Sequence, residues 1–504
     1  MVNTAHSIRT FLKAFIISLT AILALGLDCH AKLVTVSGKA PDYAGHTIVM
    51  RAKTDAISRM TYDLSSTEVQ PDGYFCFEAD IDEITYAVVD LSYYEAYIYL
   101  EPGAKYVVSL PPYRLRPDAD RFNPYYEPTP IRLPLRSASS DLNKAIRDFD
   151  DVFNRAYYPV MVKIVSKHDK KLADKVIAKL DSAARAIGCR KPYFTQHVTF
   201  RKAEVYATPR LNSPRAILSK YYVGNPVMFN LPAYWRAIEM MNTDVTSDNS
   251  NKEIQRQLNK IKYGKGTQDA VLLSSTLAQD TLFRKNQTLR EMLIVKGLKD
   301  NFYSSVTSDG RTDTLLTSAA RNFKSKRVRL IAANVYAQKN KLKRGLPAPD
   351  FHLDNGNDRE ISLSTFHGRF LYLCFMHSEN YECVKVLPVL ENMAQLHKSD
   401  LDILCIFTDD DTDALYKQLA KSKHTWQGIS WVSNQRVLSD YEVRHLPTYF
   451  LIDPDGCIAM AQAPGPNENV GPAIAEAIRQ YKIIKTRGRI EVPRTIYDIA
   501  NEAK

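Results

Sequence analysis

The chain has 504 residues, 67 Lys+Arg against 56 Asp+Glu for a net charge of +11, and 45% hydrophobic residues. It is too long for one hydrophobic core, and about 100–200 residues per domain predicts roughly three domains of a soluble globular protein. Seven cysteines, Cys29, Cys76, Cys189, Cys374, Cys383, Cys405 and Cys457, fall singly, with no CxxC pair and no His/Cys cluster at metal spacing, so neither a disulfide scaffold nor a structural zinc site is indicated.

Residues 1–31 read as a secretory signal: Arg9 and Lys13, the apolar run Ala14 to Leu27, then Cys29-His30-Ala31 before Lys32. The run is too short for a comfortable membrane span. Cys29 raises lipoprotein anchoring, but Asp28 stands where a small neutral residue belongs, so cleavage after Ala31 and a periplasmic chain are expected.

Residues 32–112 show a period of two. Leu33 to Gly38, Thr47 to Arg51, Tyr74 to Glu78 and Tyr97 to Leu100 are strand-like, and Pro71-Asp72-Gly73 and Glu101-Pro102-Gly103 are turn signals, which together predict a small β-sandwich. The layout, with Gly38 and the segment Tyr99 to Gly103, resembles the β-domains that precede thioredoxin-like domains in exported proteins of Bacteroidetes-type bacteria. Residues 113–136 are rich in proline, arginine and tyrosine and read as a linker.

From 137 to 338 the spacing becomes helical. Leu142, Ile146, Phe149 and Phe153 share one face, Asp141 can cap that helix, and Pro159, Pro214, Pro226 and Pro232 punctuate the segments that follow, so an α-helical domain is expected. Tyr221, Tyr222, Phe229, Tyr234 and Trp235 either fill its core or line a ligand groove. A basic linker, 339–345, leads to a third domain over 346–484, and 485–504 form a tail.

Charge divides the chain. Residues 347–483 carry 11 Lys+Arg and 19 Asp+Glu, a net of −8, which leaves +19 elsewhere. The basic part reads as solvated helix faces, or as attraction to an anionic membrane or envelope surface or an acidic partner. No motif for nucleic acid is present.

The third domain alternates buried-strand runs, Phe370 to Phe375, Leu401 to Phe407 and Tyr449 to Ile452, with helical stretches Val384 to His397 and Asp413 to Lys421, as in an α/β fold. Gly345-Leu-Pro-Ala-Pro-Asp-Phe351, Ile361 to Phe366, Gly368 to Phe375, Leu446-Pro447-Thr448 through Asp453, and Asp455-Gly456 together resemble, in order and spacing, extracytoplasmic thioredoxin-like domains of the TlpA/ResA type. Peroxiredoxins share the opening Pro-x-Asp-Phe. The resemblance implies a thioredoxin fold and makes Pro447 the cis-proline facing the redox site, beside which an extended partner would pair.

That resemblance also places the redox motif at Asn380-Tyr381-Glu382-Cys383. Cys383 falls at the second, resolving cysteine and Asn380 at the first, the nucleophile. An amide cannot attack a disulfide or a peroxide, so two-cysteine turnover and peroxiredoxin chemistry are not expected here. Three readings of Cys383 stand open: a buried structural thiol, a thiol forming one mixed disulfide, or half of a pair with a distant cysteine. His377 and Glu379 are an acid–base pair or solvent-facing. Asp409 to Asp413 lack calcium-loop spacing and read as a helix cap. The expected function is a binding or scaffolding module whose site comprises Asn380, Tyr381, Leu446 and Pro447, taking a protein or peptide partner without cofactor or metal. The alternative is a thiol-disulfide oxidoreductase acting through Cys383 alone or with a partner thiol.

Overall fold

The computed structural model describes residues 32–114, 116, 120, 126–138, 142–207, 211–241, 244–266, 268–301, 310–354, 360–409, 411–420, 424–434, 436–468 and 470–486. The secretory signal with Cys29, the Asp141 cap and the tail beyond Thr486 lie outside the described residues.

Among the described residues, nine strands form the N-terminal part: β1 (Lys32–Lys39), β2 (Thr47–Lys53), β3 (Thr61–Glu68), β4 (Tyr74–Ile81), β5 (Thr85–Leu91), β6 (Tyr94–Leu100), β7 (Lys105–Val108), β8 (Thr129–Arg132) and β9 (Leu135–Ala138). They make two sheets, ordered β4-β1-β7-β9 and β3-β2-β5-β6-β8. Alternation drives the packing: Val34, Val36, Phe75 and Phe77 from one sheet meet Ile48, Met50, Val89 and Ile98 from the other in one buried cluster. The expected linker is corrected here. Residues 129–132 pair parallel with β6, and 135–138 pair antiparallel with β7. Pro130 is tolerated because β8 is an edge strand, where a missing N–H need not interrupt a ladder.

The five-stranded sheet meets a helical region through Tyr99 on its outer face and Ile57 in the loop between β2 and β3, both buried among helical side chains. Its first helices are α1 (Leu142–Lys167), α2 (Lys170–Ile187), α3 (Pro192–Ala207) and α4 (Pro232–Met241). Leu142, Ile146, Phe149 and Phe153 are buried along α1 as their spacing requires. Pro159 does not punctuate: α1 continues through it, with the ring on the exposed side. Tyr221, Tyr222, Tyr234 and Trp235 fill the core and Phe229 packs against it, so they do not line a groove.

Polar contacts fix the seam. Asn143 accepts from the Tyr99 N–H at 3.0 Å and donates to the Tyr99 carbonyl at 2.8 Å. Asn334 donates to Asp55 at 3.2 Å, and Arg327 pairs with Glu83 at 2.6 Å. Burial pushes the Asp55 carboxyl up, against its hydrogen bonds from Ser58 and Asn334.

Residues 339–345 are not a free linker. Lys339 pairs with Asp313 at 3.0 Å on the helical side, while the Gly345 N–H donates to the Ile458 carbonyl at 2.8 Å on the other. Beyond them, β10 (His352–Asp354) and β11 (Glu360–Ser362) pair with each other, and β12 (Phe370–Met376), β13 (Leu401–Phe407), β14 (Gln427–Ser430), β15 (Thr448–Ile452) and β16 (Ile458–Met460) form a sheet ordered β14-β13-β12-β15-β16. β12, β13 and β14 run parallel and β15 antiparallel to β12, with α5 (Tyr381–Leu396), α6 (Thr412–Leu419) and α7 (Val470–Thr486) alongside, the thioredoxin fold. Every residue of β12 is buried: Phe370, Tyr372, Cys374 and Met376 enter one core, and Leu371, Leu373 and Phe375 the opposite one. Among the described residues no helix is long and apolar enough to cross a membrane.

Candidate functional site

β12 ends at Met376, and the chain turns through His377, Ser378 and Glu379 into α5. Register brings the second part of the site to the same edge. Thr448 stands opposite Phe375, so Leu446 and Pro447 lie beside the exit of β12. The Leu446–Pro447 peptide bond is cis. Both residues are half-buried, and Leu446 packs against the core that holds Cys383.

Asn380 is the N-cap of α5. Its Oδ1 accepts from the backbone N–H groups of Glu382 at 2.9 Å and Cys383 at 3.3 Å. Four N–H groups at a helix start lack intrahelical partners, and they are what stabilises a thiolate placed there. Here the side chain at that position consumes two of them itself. The helix start is thereby closed by an ordinary Asn cap.

Cys383 lies one turn in and is 1% exposed. Burial pushes its thiol up to about 11, with a backbone contact from His377 pulling the other way and Asp409 adding to the rise. Two more free thiols share its core: Cys374 and Cys405 face each other across β12 and β13. Burial likewise drives Cys374 well above the ordinary thiol range, with Cys405 adding to it. This grouping was not legible from offsets along the chain, because strand pairing creates it.

The turn before α5 is braced by Asp409, at the end of β13. Its carboxylate accepts from the Ser378 N–H at 3.1 Å and from the Ser378 hydroxyl, and His377 Nδ1 lies 3.6 Å away. Asp409 is therefore spent on this turn and does not cap α6, which corrects the expectation for that residue. Its role has no signature in the sequence beyond one acid directly after a buried strand. His377 Nδ1 accepts from the Glu379 N–H at 3.2 Å, so its imidazole supports the turn, while Glu379 faces solvent. Among the described residues no group of three or more His, Cys, Asp or Glu side chains is placed to hold a metal ion.

Tyr381 is 76% exposed and Val384, one turn further, 42%. Leu446 and Pro447 stand half-buried at the neighbouring strand edge, and Cys383 is buried.

Residues 345–461 match the model of the AhpC/TSA family. Thiol-disulfide oxidoreductase ResA of Bacillus subtilis (strain 168) is 30% identical over 123 residues, which is 24% of this chain and 68% of that protein. ResA of Geobacillus thermodenitrificans (strain NG80-2) is 28% identical over 127 residues, 25% of this chain and 72% of its own length. Among solved structures, a putative thiol-disulfide oxidoreductase from Bacteroides vulgatus is 26% identical, with 27% of this chain and 98% of that one covered and a TM-score of 0.26.

Proposed function

Since this chain belongs, through its C-terminal domain, to the family of the ResA-type thiol-disulfide oxidoreductases, we propose that the domain now serves as a binding or scaffolding module without two-cysteine turnover. One observation carries the reading: at the position where the resemblance implies a nucleophile, the Asn380 side chain itself occupies the amides that would hold a thiolate. The partner would be an extended protein or peptide segment lying on Tyr381, Val384, Leu446 and Pro447.

The alternative, oxidoreductase chemistry through Cys383 alone or with a partner thiol, asks for a thiolate. With its pKa at about 11, only about one Cys383 in ten thousand is ionised at pH 7, and that one is buried. In the same proposal the two N-terminal sheets form a β-sandwich, and the chain works outside the cytoplasm, supported by Arg9, Lys13 and the apolar run Ala14 to Leu27.

The purified chain should fail to reduce insulin or a small disulfide, and should retain a bound partner peptide after Cys383→Ala. Reductase activity abolished by Cys383→Ala would overturn the reading.

A further inference from the structure

Helix α2 stops at Gly188, whose left-handed backbone (φ 68°) favours glycine, and the turn that follows leads through Cys189, Arg190 and Lys191 into α3. This turn faces the start of α1 across an open cleft of about 1010 Å³, lined by Lys144, Asp148, Cys189, Arg190 and Lys191, with Ile187 and Pro192 as apolar wall. Ligand pockets span about 300–1,000 Å³, so the cleft has room for an organic molecule and not only for a single ion.

Cations dominate it. Lys144 pairs with Asp148 at 2.8 Å, but Asp148 also takes Arg147 at 3.1 Å, so one carboxylate serves two cations. Lys191 pairs at 2.5 Å with Glu101, directly after β6. Arg190 is exposed and makes no ion pair or hydrogen bond among the described residues. Lys144, Arg147, Arg190 and Lys191 thus meet two acids, Asp148 and Glu101, four positive groups against two negative, which leaves two positive charges over. The helices gain nothing from this placement: Lys144 lies in the first turn of α1 and Lys191 directly before α3, ends that disfavour cations, and neither first turn carries an acid. A dianion with its charge on oxygen offsets the surplus. It would take a charge-assisted hydrogen bond from Arg190 and lie close to the ammonium groups, while Ile187 and Pro192 meet its carbon body.

We propose that this cleft binds a small organic dianion, a phosphate monoester or a dicarboxylate, with Arg190 as its anchor. It is independent of Asn380 and Cys383, which lie on another domain.

Calorimetric titration of the purified chain at low salt tests it with glucose 6-phosphate, succinate and neutral glucose. Binding of glucose 6-phosphate alone assigns a phosphate monoester, binding of succinate alone a dicarboxylate, and binding of both assigns recognition by charge. Added salt should weaken the binding, because the charges that hold the dianion are exposed. Arg190→Ala, with its fold checked by circular dichroism, should weaken it about tenfold or more, the ordinary consequence of losing a charge-assisted hydrogen bond. Cys189 locates the ligand in the native chain. Its thiol is free, half-buried and part of the cleft wall, so a saturating dianion should protect it from neutral N-ethylmaleimide, read on its own peptide by mass spectrometry. Failure of both dianions to bind at millimolar concentration, glucose binding as tightly as glucose 6-phosphate, unchanged affinity in Arg190→Ala, or an unprotected Cys189 with the dianion bound would each overturn the proposal.

Discussion

Asn380→Cys should restore disulfide reactivity, and its size follows from the cap. Removing the amide side chain frees the Glu382 and Cys383 N–H groups that Asn380 Oδ1 now holds at 2.9 and 3.3 Å. A thiol at such a helix start titrates within about 3.5–7.5, and a value near 7 leaves about half of it ionised at neutral pH. Cys383, at about 11, is ionised in about one molecule in ten thousand, so the thiolate population rises roughly five-thousandfold. A thiolate about four pKa units less basic is intrinsically slower by about 40- to 100-fold, given a Brønsted slope of about 0.4–0.5. The net gain is roughly fifty- to hundredfold, before the better access of a half-buried position is counted. The lost cap costs about 1 kcal/mol, too little to unfold the domain. The rate of reaction with a small aromatic disulfide at pH 7 is the assay, followed by catalytic insulin reduction. A correctly folded Asn380→Cys variant that reacts no faster than its parent would refute the argument that this one side chain disarms the site.

Native Cys383 should react with iodoacetamide at pH 7.5 far more slowly than in urea, and its native rate should climb about tenfold per pH unit toward its pKa of about 11; a native rate equal to the denatured one would contradict its burial. Asp150 is held at about 2, below its ordinary value of 3.8, because His197 and Arg201 outweigh the desolvation that burial imposes. A depressed carboxylate stabilises the fold above its unfolded pKa and loses that contribution as pH falls from about 4 through about 2, here about 2 kcal/mol. Urea unfolding should show Asp150→Asn strongly destabilised at pH 6 and the difference shrinking by pH 3; a difference independent of pH would be inconsistent with the ion cluster. Asn143→Ala strips both hydrogen bonds from the buried Tyr99 peptide groups and should cost about 2–4 kcal/mol, loosening the seam to limited proteolysis. Unchanged cleavage would argue that the seam does not depend on this clamp.

Much of the thioredoxin fold was legible because its strands are continuous apolar runs. Phe370 to Phe375 has no alternative to burial on both faces. The polar strand β3 was not legible, since Thr61–Glu68 carries few apolar residues and owes its conformation to pairing with β2. For the same reason Thr129–Arg132 reads as linker and folds as an edge strand. Pro159 misled in the other direction: a local breaker yields when the buried face of a 26-residue helix is long enough to outweigh one lost hydrogen bond.

By itself the sequence determined that an amide, Asn380, precedes Cys383 by three positions, because that statement concerns residue identity and spacing; that these are the nucleophile and resolving positions is what the resemblance to thioredoxin-like domains implies. Tertiary structure alone decided that Cys374 and Cys405 share the Cys383 core, that Asp409 braces the turn from 31 residues away, and that Asn143 clamps the Tyr99 peptide groups across the seam. Each of these depends on strands and helices brought together from distant parts of the chain. Spacing along a chain carries no information about such neighbours until the hydrophobic cores have fixed the register of the elements that bear them.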